Sequence, residues 1–387
     1  MPPPARPFVV LVAPLNWGLG HATRCIPLIY TLQELGCDVI TAADGASRTL
    51  LVEEFPQLTH LPSPHTEVRY ARYQWLFGWA ILKLLPRFWL QLHREQKWVR
   101  STVQRYKIDA IISDNRYGLS YPHIPAVLIT HQLGIRTGYG QLADRLVQQI
   151  LYRYINRYQE VWVPDRQTEP MLAGALSHPH HLPRAPLQYI GVLNRLKTNA
   201  PDAASETTQL LVLLSGPEPQ RTLLEKIILQ QAASFTGQLL LVRGLPSSQP
   251  NNPATASVDP SLAMLYGVAR VRIVDHLTTA QLQQVLPSVD FIVCRSGYTT
   301  LMEMIPLQKK LLLIPTPGQP EQSYLAAYAD RQRYAPQFLQ QHFSLEQAIQ
   351  VANQYPYRFP GAFTETPRAA VVTRFIDQLK HRRSHSH

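Results

Sequence analysis

The chain has 387 residues, 45% hydrophobic and only 16% charged, which gives ample core for two domains of ordinary size and excludes an intrinsically disordered protein. Its formal charge of +11, from 37 Lys and Arg against 26 Asp and Glu, favours anionic partners: nucleotides, nucleic acid or an acidic membrane surface. Three cysteines (Cys25, Cys37 and Cys294), the lack of a secretory leader ahead of the first strand, and no apolar window long enough to span a bilayer lead to the expectation of a cytoplasmic protein with reduced thiols.

Taken in order, Phe8–Ala13 is a dense β-branched run expected as the first strand, and Leu15–Thr23 is a loop with Gly18 and Gly20. Ile26–Leu35 has helical spacing and stops at Gly36, and Asp38–Ala42 follows as a strand, completing one βαβ unit. Asp109–Ser113 and Ala126–Thr130 are further strands, each followed by a polar loop, and Glu160–Val163 and Gln188–Ile190 complete a parallel set. Between them, Arg69–Arg100 reads as a helix broken at Pro86. Its aromatic residues, Trp75 and Trp79 among them, are interleaved with Lys and Arg, as packing inside the first domain or a membrane-interface surface would require.

Lys197–Thr208 is polar and reads as a linker. A second α/β series follows: strands Leu210–Leu214, Gln238–Val242, Val271–Val274, Phe291–Cys294 and Leu311–Ile314, and helices Leu223–Ala233, Ala280–Val285 and Ser323–Tyr334. Pro246–Pro260 reads as a loop, and the ending LKHRRSHSH as a solvated, disordered tail. The expected architecture is α/β, two Rossmann-like domains facing each other across a cleft. Residues 1–196 form the first domain, 197–208 the linker and 209–365 the second, with a helix from 366 packing back on the first before the tail.

The loop after the first strand carries Gly18-x-Gly20-x-x-Thr23, an incomplete dinucleotide fingerprint, and Asp44 at the end of the second strand keeps a dehydrogenase reading open. His21 argues against it. A histidine just after the glycines suits a general base better than a pyrophosphate cradle, since the side chain titrates near neutrality. Asp114, His131 and Gln132 follow other strands of the same domain and join Gly18 and Gly20 as acceptor-side candidates. His178, His180 and His181 lack a nearby Cys or acidic partner at ligand spacing, so no metal site is expected there. The chain has no D-x-D and no P-loop motif, which counts against a metal-bound nucleotide mechanism and a P-loop ATPase. Without zinc-finger, RNP-like or helix-turn-helix context, the basic charge does not predict a nucleic-acid partner.

Val289–Met304 reads as strand, polar loop and helix. Gly297 makes the turn, and the hydroxyls of Ser296, Thr299 and Thr300 are expected to cap the helix. Such a helix start attracts a phosphate, and Glu303, placed on the first helical turn, would accept from a sugar hydroxyl. An ordinary capped turn with a solvated glutamate fits the same residues.

With these motifs in hand, the chain resembles GT-B glycosyltransferases of family 28 over about residues 8–335. The likeness is sharpest from Val271 to Tyr334, where VRIVDHL, DFIVCRSGYTTLMEM and IPTPGQPEQSYLAAYA follow in order. The resemblance implies His21 as catalytic base. It implies Arg295, Ser296, Gly297 and Thr300 near a diphosphate, with Ser215, Gly216 and Arg195 as further phosphate contacts. Glu303 would hold the ribose, Asp275, His276 and Leu277 the base, and Gln319, Glu321 and Gln322 the donor sugar. The expected chemistry is inverting, metal- and cofactor-free transfer of a hexose or N-acetylhexosamine from a UDP-linked nucleotide-diphospho-sugar to an unidentified acceptor that a lipid could carry. A UDP-sugar 2-epimerase or a non-catalytic nucleotide-sugar-binding module would use the same fold.

Overall fold

A computed structural model describes residues 6–64, 77–197, 209–232, 234–246, 270–363 and 367–384. The chain divides into two units: Met1–Trp17, His21–Leu193 and Ala362–His387 form one, and Gly18–Gly20 with Asn194–Gly361 form the other. Each is a parallel sheet carrying helices, as the alternation of apolar runs and helical spacings predicts, and each is a Rossmann-like unit.

In the first unit β1 (Phe8–Pro14), β2 (Cys37–Ala43), β3 (Thr59–Pro62), β4 (Ala110–Asp114), β5 (Ala126–Ile129), β6 (Glu160–Val163) and β7 (Leu187–Tyr189) lie in the order β3-β2-β1-β4-β5-β6-β7. Every pairing is parallel, with Val10 opposite both Val39 and Ala110. Every residue of β1, β4, β5 and β6 is buried, which is why these strands read as unbroken apolar runs. The helices are α1 (Leu19–Glu34), α2 (Gly45–Glu54), α3 (Phe77–Tyr106) and α4 (Gln141–Ile155). In the second unit β8 (Gln209–Leu213), β9 (Gln238–Val242), β10 (Val271–Val274), β11 (Phe291–Cys294) and β12 (Lys310–Leu313) take the order β10-β9-β8-β11-β12, again all parallel. Its helices are α5 (Gln220–Ala232), α6 (Thr279–Val285), α7 (Tyr298–Met304), α8 (Pro320–Arg331) and α9 (Leu345–Gln354).

Several expectations change. α1 starts at Leu19, seven residues before the apolar spacing becomes regular, and runs through Pro27, so His21 sits on a helix and not in a loop. α3 continues through Pro86, so the expected break there is absent. α8 opens at Pro320, where a proline's fixed φ suits the first helical position. The ending is not disordered up to Ser384: α10 (Arg368–Ser384) belongs to the first unit. There Phe375 meets Trp162 edge-on at 5.5 Å, Arg374 pairs with Glu160 at 3.2 Å, and Lys380 donates to the Leu35 carbonyl. Trp75, the linker residues 198–208 and the loop residues 247–260 lie outside the described residues, and the Trp79 side chain is not described.

Candidate functional site

In both sheets the strand order reverses once, between β1 and β4 in the first unit and between β8 and β11 in the second. In parallel α/β sheets the strand ends at such a reversal leave a crevice that side chains from two loops can reach. The sequence-predicted residues cluster at both.

In the first unit α1 places His21 and Arg24 three residues apart on one helical face, above Asp114 at the end of β4. Asp114 is completely buried. Arg24, only 1% exposed, grips it with both arms of its fork: Nε donates to Oδ2 at 2.7 Å and Nη2 to Oδ1. Burial alone would raise the Asp114 pKa, but the charge of Arg24 and the nearby His21 outweigh it and hold the value at about 2. His21 Nδ1 lies 3.2 Å from Asp114 Oδ2 and 3.0 Å from Arg24 Nη2. Arg24 Nη1 reaches His131 Nδ1 at 3.2 Å, beyond the end of β5. The Cys25 thiol, kept protonated by burial, points at Asp114 Oδ2 from 3.9 Å.

The sequence-predicted His21, Asp114 and His131 are thus brought together. Gln132 is next in chain, with its N–H on Thr130 Oγ1, while Gly18 turns the loop with φ of 85° and Gly20 falls in the first turn of α1. Arg24, the hub of the cluster, was not singled out from sequence. Its signal was available as an arginine three positions after a candidate base. The His178 ring stacks on Tyr189 at 4.7 Å and its Nδ1 is 2.8 Å from Ser177 Oγ, in keeping with a structural loop. Among the described residues no three His, Cys, Asp or Glu side chains group as metal ligands.

In the second unit Ser215 and Gly216 are exposed beyond β8, with Gly216 at φ of 99°, a conformation a side chain would strain. A Cβ there would lie 3.8 Å from Thr316 Oγ1, so the loops after β8 and β12 are neighbours. That Thr316 hydroxyl is buried and without a hydrogen-bond partner among the described residues. Arg295 does not face solvent. Fully buried, it donates to the carbonyls of Gln220 (2.7 Å), Ile314 (3.2 Å) and Pro315 (3.4 Å), and burial lowers its pKa to about 10. Ser296 turns inward as well, donating to the Gln322 carbonyl at 2.8 Å, while Gln322 Oε1 accepts from Thr316 N–H. Gly297 takes the N-cap position of α7 with no side-chain cap, so the expected hydroxyl capping by Ser296, Thr299 or Thr300 is not used. Gln319 stands at the N-cap of α8, and Glu321 lies in its first turn.

Glu303 is neither on the first turn of α7 nor solvated. It is the penultimate residue of the helix and buried, its Oε1 accepting from Arg195 Nε at 3.0 Å. Arg195 Nη1 also donates to Thr279 Oγ1, and Asn194 Nδ2 donates to the Glu303 carbonyl. Burial raises the Glu303 pKa, and Arg195 only partly offsets it. Asp275 pairs with Arg243 at 3.1 Å, which continues through Glu225 to Arg221 as a chain of alternating charges. His276, beside it, is held neutral: burial and then the Arg195 charge lower its pKa to about 4. Leu277 is buried.

Residues 249–370 match the model of the glycosyltransferase family 28 C-terminal domain, in agreement with the family resemblance read from sequence. A search of curated proteins finds no match. Among solved structures, the chain is similar to the glycotransferase of kitacinnamycin, with a TM-score of 0.60 at 15% identity, covering 97% of this chain and 96% of that one. MurG of Acinetobacter baumannii gives 0.52 at 15% identity, with 97% and 100% covered. Arabidopsis thaliana UGT89C1, solved with UDP-L-rhamnose, gives 0.57 at 12% identity, with 97% and 94% covered. These likenesses bear out the GT-B fold.

Proposed function

We propose that the protein is an inverting, metal-independent glycosyltransferase that moves a hexose or N-acetylhexosamine from a UDP-linked donor to an acceptor hydroxyl. The observation that carries this reading is the buried, ionised Asp114 beside His21. A carboxylate that cannot take up a proton near neutral pH accepts from Nδ1–H of the imidazole and leaves Nε2 to remove a proton. His21 Nε2 takes the acceptor hydroxyl proton as that oxygen bonds to the anomeric carbon, and the bond from that carbon to the diphosphate oxygen breaks. The resulting imidazolium is stabilised by Asp114.

The second unit holds the donor in this reading, supported by its match to a family 28 domain and by a structural relative solved with UDP-L-rhamnose. Glu303 exchanges Arg195 for the ribose hydroxyls, and Arg195 turns to the diphosphate. Backbone N–H groups at Ser215–Gly216 and Gly297–Thr300 complete the phosphate contacts, with Asp275, His276 and Leu277 at the base. Arg295, Ser296 and Gln322 act behind this surface by fixing the loops, while Gln319 and Glu321 face the sugar. The nucleotide-sugar is a substrate, and no cofactor is called for.

UDP release from UDP-GlcNAc, UDP-Glc and UDP-Gal, measured with and without lipid and soluble acceptors, tests the reading. Acceptor-dependent release supports it. Epimerisation without acceptor, or nucleotide binding without turnover, replaces it with one of the other two functions.

A cytoplasmic protein resting on an anionic membrane, with a lipid-linked acceptor, is the reading that fits the first unit's surface. Trp89 and Leu90 of α3 and Leu142 and Leu146 of α4 are half or more exposed, with Arg145 and Arg153 also exposed on α4. No helix among the described residues is long and apolar enough to cross a membrane. Co-sedimentation with anionic vesicles should fall when Trp89 and Leu142 are both changed to Ser. Equal pelleting of the parent protein with and without vesicles rejects the membrane reading.

A further inference from the structure

One ring nitrogen in the first unit has two incompatible partners. His21 Nδ1 lies within hydrogen-bonding geometry of Asp114 Oδ2, which only accepts once ionised, and of Arg24 Nη2, which only donates. A neutral imidazole nitrogen does one or the other. With the proton on Nδ1, His21 donates to Asp114 and Nε2 keeps its lone pair. With the proton on Nε2, Arg24 donates to Nδ1 and the ring has no lone pair left for a substrate proton. Both partners are buried and locked to each other through the Arg24–Asp114 fork, so neither side chain can withdraw from the contest.

We infer that Arg24 is a positioning residue that makes His21 a two-tautomer device, drawing part of its population into the form that cannot act as a base. The distances of 3.0 Å to Arg24 and 3.2 Å to Asp114 are close enough that neither bond excludes the other form. The same guanidinium fixes the second histidine one way only. Arg24 Nη1 donates to His131 Nδ1, so His131 carries its proton on Nε2. Arg24 therefore imposes a single tautomer on one imidazole and a divided one on the other, while keeping Asp114 charged. This inference rests on the assignment of His21 as base only for its functional meaning; the tautomer division itself follows from the three side chains.

The test is proton–nitrogen correlation NMR of the imidazoles in the full-length protein at neutral pH, independent of any donor or acceptor. In the parent protein the two nitrogen shifts of His21 should be drawn together by exchange, whereas those of His131 should be widely split with the proton on Nε2. Arg24→Lys keeps the charge but loses the fork, and should move His21 to the Nδ1–H form. Asp114→Asn, whose amide can donate to Nδ1, should move it the other way. A His21 that is purely Nδ1–H in the parent protein and unchanged in Arg24→Lys overturns the inference. Should Arg24→Lys fail to fold, the parent spectrum and Asp114→Asn still decide. If the tautomers shift as described and no donor is turned over, the transferase reading falls while the role of Arg24 stands.

Discussion

The two units each bury a carboxylate against an arginine, yet the two carboxylates end with opposite electrostatics. Asp114 and Glu303 are both buried, so both face the same desolvation penalty, which favours the protonated acid. Asp114 receives two N–H bonds from one planar fork and has an imidazole alongside, and its pKa falls to about 2. Glu303 receives a single N–H from Arg195, which is shared with Thr279, and its pKa rises. With burial common to both, the charges of Arg24 and His21 and then their hydrogen bonds overturn it at Asp114, while Arg195 alone does not at Glu303. Asp114 is a fixed charge suited to holding a base. Glu303 is loosely paired and suited to releasing its partner to a ligand.

The largest expected effect lies on the fixed side. His21→Ala should lower turnover by about 10²–10⁴ while donor affinity by calorimetry stays unchanged, because only proton removal is lost. Turnover equal to the parent protein's would break the assignment of the base. Stability should separate the two pairs next. Arg24→Met removes the charge that holds the buried Asp114 ionised and leaves that carboxylate without its partner, and should cost about 3–5 kcal/mol in urea unfolding. Arg195→Met should cost less, about 1–3 kcal/mol, since Glu303 accepts a single N–H from Arg195 where Asp114 accepts two from Arg24. Equal costs would erase the distinction.

The pH dependence of stability sharpens it further. The folded pKa of Asp114 lies below the unfolded value of about 3.9, so its contribution is complete above that value and is lost as pH falls towards about 2. The linkage amounts to about 2–3 kcal/mol, and Asp114→Asn should remove that acid limb. Glu303 has the reverse sign. Its contribution is present below its unfolded pKa and disappears as pH rises through the raised folded value, so Glu303→Gln should gain on the parent protein as pH rises through that value. Parallel acid limbs for Asp114→Asn and the parent would contradict the fixed-charge account.

How much of this was legible in the sequence follows from how local each signal is. Strands such as Glu160–Val163 and Phe291–Cys294 were read to the residue, because a strand buried on both faces is a short run rich in apolar residues. The helix start at Leu19 was not, since Gly18 and Gly20 signal a loop while tertiary placement favours a helix. α4 was missed altogether: its outward face carries Leu142 and Leu146, which blur the apolar stripe. His21 and Asp114 were each visible as polar residues after strands. Their meeting, and the part of Arg24 in it, depends on β1 and β4 being neighbours, 90 or more residues apart in chain. Glu303 was placed on the right element but at the wrong end, and its burial by Arg195 left no trace in the local sequence.

His276 offers the finest division between the units, because its pKa has a named minor cause. Burial is the larger influence and the Arg195 charge the smaller, and together they bring it to about 4. The folded value is below the unfolded one of about 6.5, so the neutral ring contributes stability above that pH and loses it as pH falls towards 4. This window lies above the one for Asp114, so acid titration should remove the His276 contribution before that of Asp114. In Arg195→Met the His276 midpoint, followed by NMR, should rise yet stay below 6.5, since burial persists when the charge is gone. A midpoint already near 6.5 in the parent protein would mean that the ring is solvated, and the ordering of the two windows would vanish with it.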